Sequence, residues 1–142
     1  MNIDIEVPEG LNPSLTALGW LVGRWEGTGN GTDHEGNPFE FEQRIEFSHN
    51  GGDYLFYASQ TFEIGADGAE SVPSGMETGF WRPQPDASLE VVLTSADGWT
   101  EVLVGKIAVT RIDLVTDAVV RTSSATVSHS AGQRLYGKVE GD

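Results

Sequence analysis

The sequence predicts an all-β protein, an antiparallel up-and-down barrel preceded by one short helix. In the segment Gly23–Gly31, a tryptophan and three glycines (Trp25, Gly27, Gly29 and Gly31) alternate with other residues and so share one strand face. Glycine weakens a strand unless the strand bends sharply or another group approaches closely. Turn residues recur about every 8 to 12 positions in the rest of the chain, as in sandwiches and barrels. A first strand that curls into a small container satisfies both observations.

The first element is predicted to be a short helix. Residues 1–13 are interpreted as an N-terminal lead and residues 14–142 as one domain, which is the usual division for a chain of 142 residues. Asn12 is a favourable N-cap residue and Pro13 suits the first helical position. The helix is expected to end near Gly19 and to close one mouth of the barrel.

The strands that follow differ in how clearly they show their inner face. The clearest pattern is that of apolar residues alternating with charged and polar ones in the second strand, namely Phe39, Phe41, Ile45 and Phe47. Residues 53–63 are rich in aromatics at both parities, so their inner face stays open. Beyond them we expect a polar loop, a short strand ended by Pro83, a hairpin and four more strands. Their ranges are 65–75 for the loop, then 76–82, 89–94, 99–104, 106–115, 117–122, 124–129 and 133–139 for the strands.

Composition restricts the class of partner. The formal net charge is -14 with only eight Lys and Arg, so nucleic acid and anionic membrane surfaces are unfavourable partners. The chain has no cysteine, which excludes disulfides and thiolate metal sites. No apolar run approaches the roughly 20 residues of a membrane span, and the acidic start has no secretory h-region. A cytoplasmic, bacterial protein is therefore expected.

Three histidines are candidate ligands, each with a plainer interpretation. His34 and His129 lie in polar turns and are expected at the surface. His49 has the parity of Phe47, so its imidazole is expected either to face an apolar cavity, where it would meet a metal or haem iron, or to be a satisfied histidine at the rim. No histidine pair has the spacing of a zinc site, so no metal is predicted.

Three further polar residues are candidates for barrel closure or for a polar network. Glu77 and Arg82 lie on one short aromatic strand, and they form either a buried polar network or a solvated pair. Arg134, in the last strand, is predicted to stack on Trp25, a contact that stabilises by about 1 to 2 kcal/mol when it is desolvated.

Several motifs together resemble the nitrobindin family. They are Leu18-Gly19-Trp20-Leu21-Val22-Gly23-Arg24-Trp25-Glu26-Gly27-Thr28-Gly29, Phe47-Ser48-His49-Asn50-Gly51, Glu77-Thr78-Gly79-Phe80-Trp81-Arg82-Pro83, Leu89-Glu90-Val91-Val92-Leu93, Gly98-Trp99-Thr100-Glu101-Val102 and Arg134-Leu135-Tyr136-Gly137. The resemblance implies a ten-stranded barrel similar to fatty-acid-binding proteins, with ferric haem b near its mouth. It also implies nitric oxide binding and isomerisation of peroxynitrite to nitrate. Gly23, Trp25, Gly27 and Gly29 are the family's motif residues.

The chain departs from the family pattern in ways that bear on function. The resemblance places the proximal haem ligand in a Pro-x-x-Pro-His-Leu-like tail after a final strand, whereas this sequence reaches Asp142 before such a tail. We therefore expect the ligand histidine and the closing strand to be absent, and no haem cofactor. Gly75 stands where relatives often carry a histidine, and His49 matches a distal-side histidine.

Three functions remain open on the sequence. The first is a nitrobindin-like barrel without haem activity, and without enzymatic activity, that binds another small apolar ligand. The second is a haem protein acting on peroxynitrite with His49 or His34 as replacement ligand. The third is an interaction domain whose open strand edge pairs with another chain, including a second copy in a homodimer.

Overall fold

The chain forms one antiparallel sheet after a short helix. The computed structural model describes residues 8–32, 35–65, 71–109 and 111–125, together with the backbone of 133–137. Within these residues a 3₁₀ helix, Pro13–Leu21, precedes eight strands. The strands are β1 (Gly23–Thr32), β2 (Pro38–Ser48), β3 (Leu55–Ile64), β4 (Ser71–Gln84), β5 (Ser88–Ser95), β6 (Trp99–Ile107), β7 (Arg111–Arg121) and β8 (Gln133–Gly137). No helix in the described part is long and apolar enough to cross a membrane.

The sheet is an up-and-down meander. Its order is β1-β2-β3-β4-β5-β6-β7-β8, and each strand pairs antiparallel with the next. This arrangement confirms the predicted fold class. Within the described residues β1 and β8 are the two end strands, and the barrel is not closed by pairing between them.

The 3₁₀ helix covers one end of the inner face of the sheet with a stripe of leucines spaced three residues apart. Asn12 caps it, since its side-chain oxygen accepts a hydrogen bond from the Ser14 backbone N–H at 3.0 Å. Side chains three positions apart eclipse one another in a 3₁₀ helix. Leu15, Leu18 and Leu21 therefore lie on one stripe, and all three are buried. The predicted helix is confirmed, and it extends to Leu21 instead of ending near Gly19.

The core lies between the helix and the middle of the sheet. Three aromatic rings meet there, with ring centroids 5.0 Å apart for Phe47–Trp81 and 5.2 Å apart for Phe47–Tyr57. Aliphatic side chains from β3 and β5 to β7 complete it. They are Leu55, Leu89, Val91, Leu93, Leu103, Ile112 and Leu114. The inner face of β3, which the sequence left open, is that of Leu55 and Tyr57, so Phe56 points outward.

Two sequence expectations for strand boundaries were wrong, and an inserted residue explains both. The expected loop at 65–75 instead contains the start of β4, which begins at Ser71 and shifts register opposite Thr61 and Phe62. Of the two strands expected at 106–115 and 117–122, residues 106 and 107 belong to β6, and the rest is one strand, β7, from Arg111 to Arg121 with a register shift around Asp117. A bulge adds one residue to a strand and reverses the alternation of inward and outward side chains. In the sequence, one continuous strand with a bulge therefore has the pattern of two separate strands.

Candidate functional site

The glycines of β1 leave room on the inner face of the sheet at one end only. Phe41 and Phe39 lie across Gly29 and Gly31, because a Cβ built at either glycine would come within 2.6 Å of the ring tip. A Cβ at Gly27 would meet no described heavy atom within 4 Å. The space that the sequence predicted inside β1 is therefore at Gly27, whereas aromatic side chains of β2 cover the next two glycines.

Gly23 and Trp25 connect this strand to the helix. Gly23 has φ +132°, a conformation that favours glycine, and it is the first residue of β1. The indole Nε1 of Trp25 donates a hydrogen bond to the backbone oxygen of Leu21 at 2.8 Å, while 39% of the side chain stays exposed. The motif thus orients the first strand relative to the helix that covers the packed end.

A row of register partners crosses five strands beside the core. It consists of Trp25, Ile45, Ser59, Glu77 and Ser95, each paired with the next. Ser59 and Ser95 are buried. The row marks a change from aliphatic to polar side chains on the inner face.

The polar side chains around this row bind one another. The Gln43 amide donates to the Ser59 hydroxyl at 3.2 Å. The Tyr57 hydroxyl donates to a carboxylate oxygen of Glu77 at 3.0 Å. Hydrogen bonds offset the free-energy cost of removing polar groups from water, so buried polar side chains in a core are usually hydrogen-bonded. The layer is therefore part of the folded structure and separates the packed end from the glycine end.

Glu101 adds a second carboxylate to the inner face. It is buried between Trp99 and Leu103 on β6, and the Thr116 hydroxyl on β7 donates a hydrogen bond to it. A buried carboxylate is expensive unless it is hydrogen-bonded, which makes the Thr116 contact structurally important.

The next row toward the glycine end has the smallest side chains. It runs from Gly27 through Gln43 and Thr61 to Gly75. A Cβ at Gly75 would have its nearest neighbour, the Cβ of Thr61, at 3.9 Å. Both ends of this row are thus unfilled, and its centre presents an amide and a hydroxyl.

A cavity opens at the adjoining strand ends. It has a volume of about 710 Å³, and the residues that line it include Asn30, Phe39, Glu63, Ile64 and Val72. A volume in this range suits a small-molecule ligand. Since Asn30, Glu40 and Ile64 have the outward parity, the cavity extends around the strand ends to both faces. We call the inner face from Gly27 and Gly75 to these strand ends the glycine half of the sheet.

His49 lies elsewhere. β2 ends at Ser48, and the His49 Nδ1 atom accepts a hydrogen bond from the Gly51 backbone N–H at 3.3 Å. His49 lines a pocket that also includes Phe56 and Phe80, which point away from the core. The parity that predicted an inward imidazole ends with the strand, so the structure does not bring His49 to the glycine half.

Glu77 and Arg82 do not form a network with each other. Glu77 belongs to the inner polar row, whereas Arg82 contacts Glu90 on the outer face at 3.5 Å. They are five residues apart on one strand, and an odd separation places side chains on opposite faces. Glu77 is therefore part of the inner polar layer and its role in a site stays a prediction, whereas Arg82 is part of an exposed ion pair.

Three sequence candidates lie outside the residues whose side chains are described. They are His34, His129 and Arg134. The stacking of Arg134 on Trp25 stays a prediction. The described residues contain no group of three or more His, Asp or Glu side chains arranged to hold a metal ion.

The sequence reasoning missed most of the polar layer. The alternation of β2 places Gln43 on the inner face, but Ser59, Ser95 and Thr116 gave no signal, because small polar residues occur on both faces of a strand. Glu101 did give one, since it occupies the inner parity between Trp99 and Leu103. A charged residue in an apolar alternation is rarely buried without a partner.

Comparisons with known proteins agree with this architecture. A family model described as a THAP4-like, heme-binding beta-barrel domain matches residues 14–142. A ferric nitrobindin-like protein from Cutibacterium acnes is 47% identical over 138 residues, covering 96% of this chain and 83% of the relative. The chain belongs to the nitrobindin family.

The chain is also similar to a second curated protein and to a solved structure. A peroxynitrite isomerase from a Nocardioides species is 37% identical over 137 residues, covering 96% of this chain and 83% of the relative. The crystal structure of Rv2717c from M. tuberculosis superposes with a TM-score of 0.71 at 27% identity, covering 93% of this chain and 91% of that one.

Proposed function

We propose that this nitrobindin-family chain binds a flat, apolar small molecule in the glycine half of its sheet. The observation that carries the proposal is the unfilled row from Gly27 through Gln43 and Thr61 to Gly75, which lies between a hydrogen-bonded polar layer and an open cavity. Glycine on a strand interior is costly unless a ligand or another chain segment approaches closely. Two such positions facing the same space indicate a ligand.

For haem, the described residues of the glycine half supply apolar surface but no histidine as axial ligand. The rings of Phe39 and Phe41 and the space at Gly27 and Gly75 suit a planar apolar group. His49, the histidine of the described residues, lines a pocket on the other face. Recognition of a porphyrin or similar ring by this half of the chain would therefore rest on its apolar surface, without iron coordination from the described part.

The test compares haemin with iron-free protoporphyrin IX, which has the same shape but no metal. Both are titrated into the protein, with intrinsic tryptophan quenching and absorbance as readouts. We expect saturable one-to-one binding of both, with dissociation constants within a few-fold of each other. A protein that is folded by circular dichroism but binds neither porphyrin, nor a fluorescent apolar probe, would contradict the proposal.

A matched pair of variants locates the site. Gly27→Leu places a side chain in the unfilled space, whereas Thr28→Leu places the same side chain on the outer face of the same strand. We expect Gly27→Leu to weaken binding at least about tenfold, which corresponds to about 1.4 kcal/mol. Thr28→Leu should leave affinity unchanged. Equal effects of the two variants would place the ligand elsewhere.

A second candidate function is that of a ferric haem b protein that isomerises peroxynitrite to nitrate. It is favoured by the matching heme-binding domain family and by the relative named peroxynitrite isomerase. This candidate requires haemin to bind much more tightly than protoporphyrin IX, with a Soret shift and accelerated peroxynitrite decay. Loss of that shift in His49→Ala would assign the iron ligand to His49 and would place the haem against the outer pocket that His49 lines, instead of in the glycine half.

A further inference from the structure

Three aromatic rings form a cluster on the outer face of the sheet, remote from the glycine half. Phe56 on β3 and Phe80 on β4 are register partners, and they are 39% and 44% exposed. Tyr54 joins them from the preceding turn. The outer face of an antiparallel sheet is ordinarily polar, so exposed aromatic rings there indicate an interaction site.

The rings are set at steep angles around Phe80. The Tyr54 and Phe80 centroids are 5.5 Å apart with an interplanar angle of 86°, and those of Phe56 and Phe80 are 5.7 Å apart at 59°. The rings pack against one another at these distances, so a ligand would contact the ring faces and edges that border the pocket and not lie between the rings. A pocket of about 300 Å³ lies against these three rings.

Two polar residues that line the pocket, His49 and Asn50, are engaged in local hydrogen bonds, and Ser48 lines it beside them. The Asn50 amide donates to the Tyr54 hydroxyl at 2.9 Å, which fixes the orientation of that ring. The His49 Nδ1 atom accepts from the Gly51 N–H. The main binding surface left to a ligand is therefore the negative face of the aromatic rings.

Charge favours a cation in this pocket. The chain has a formal net charge of -14, and no lysine or arginine is among the described residues lining the pocket. The arginine two positions along β4 from Phe80, Arg82, contacts Glu90. Asp53, next to Tyr54, is exposed at the same turn. A cation approaching the rings thus meets an attractive field, whereas an anion does not.

We propose that the pocket formed by Tyr54, Phe56 and Phe80 binds an organic cation, namely a quaternary or methylated ammonium group. Such groups are recognised by cation–π attraction to surrounding rings, which strengthens when water is excluded. The site lies on the opposite face of the sheet from the glycine half and is independent of the proposed function.

The test uses choline and its neutral carbon isostere 3,3-dimethyl-1-butanol, which differ only in the charged nitrogen. Each is titrated into ¹⁵N-labelled protein. We expect choline to shift amide signals in residues 48–56 and 79–81 saturably, and the isostere to bind about tenfold more weakly. Equal affinity for both compounds, or no saturable shift with choline, would overturn the proposal.

Two leucine substitutions distinguish a specific role of the three-ring cluster from the general effect of losing an aromatic ring. Phe80→Leu removes the central ring and should abolish the choline shifts. Phe62→Leu removes another ring of β3 whose described contact is the Arg44 guanidinium, 4.8 Å above it, and should leave choline binding intact. Because the comparison of choline with its isostere needs no variant, the proposal stays testable even if Phe80→Leu does not fold. Retained choline binding in a folded Phe80→Leu protein would refute it.

The ammonium group has two chemical sources, a free small molecule or a methylated lysine of a protein. A short peptide carrying trimethyllysine, with the unmethylated peptide as control, distinguishes them. Tighter binding of the trimethyllysine peptide than of choline would assign the site to a protein ligand, and the reverse order to a small molecule. Failure of both cations to bind would overturn the proposal.

Discussion

Replacing each of two neighbouring glycines of β1 by alanine should have opposite effects on stability. Gly27 and Gly29 lie on the same face of one strand, and neither has a positive φ that would strain alanine. Alanine loses less backbone entropy on folding, which favours the variant by about 0.5 to 1 kcal/mol. At Gly27 no steric cost opposes this gain, since a Cβ there would meet no described heavy atom within 4 Å.

At Gly29 the ring of Phe41 opposes the gain. A Cβ would lie 2.6, 3.0 and 3.1 Å from three ring carbons, and the ring tip must retreat by about 0.8 Å to reach an ordinary contact distance of 3.4 Å. Overpacking of this kind costs about 1 to 3 kcal/mol. Gly29→Ala should therefore be less stable than Gly27→Ala by about 1 to 3 kcal/mol.

Urea denaturation of both variants measures this difference directly. A third protein, Gly29→Ala combined with Phe41→Leu, tests the cause, because removing the ring should remove most of the penalty of the alanine. Stabilities of Gly27→Ala and Gly29→Ala that agree within about 0.3 kcal/mol would refute the reasoning, as would a penalty that does not depend on Phe41.

Three other substitutions test the rest of the fold. Gly79→Ala should destabilise by more than about 3 kcal/mol in urea denaturation or prevent folding, because its Cβ would collide with the backbone oxygen of Val92, which cannot move without disturbing the β4–β5 ladder. Thr116→Val should cost about 1 to 3 kcal/mol in the same assay, since it removes a hydroxyl donor from the buried Glu101 carboxylate, whereas Thr100→Val on the outer face should cost less. Asn12→Ala should lower stability by about 1 kcal/mol through loss of the helix cap, and Asn12→Asp should restore most of it.

Periodicity predicted the fold where each strand has one apolar face and failed where it does not. β2 alternates cleanly, so its inner residues were predicted correctly. β3 carries Tyr57 inside and Phe56 outside, and aromatic residues at both parities give no direction. A ring that serves a surface site is indistinguishable, by type alone, from a ring that serves the core.

The site was predicted less completely than the fold, because strand parity holds only within a strand. His49 has the parity of Phe47, yet β2 ends one residue before it, and the turn directs its ring to the pocket shared with Phe56 and Phe80. Glu77 and Arg82 show a different error, because both lie within β4 and their odd separation puts two residues of one motif on opposite faces. Motif proximity along the chain does not establish proximity in space.

The contrast between the two ends of the sheet explains why ligand binding is expected at one end only. The helix places Leu15, Leu18 and Leu21 on one end, where aromatic and aliphatic side chains fill the interior. The other end begins with Gly27 and has no helix among the described residues to fill it. Ser59 and Glu77 lie between the two ends and belong to a hydrogen-bonded layer. This layer contributes no apolar packing to either end. Since aliphatic residues at both ends would give a more stable interior, the polar layer and the glycines are the features that favour our proposal of a ligand in the glycine half.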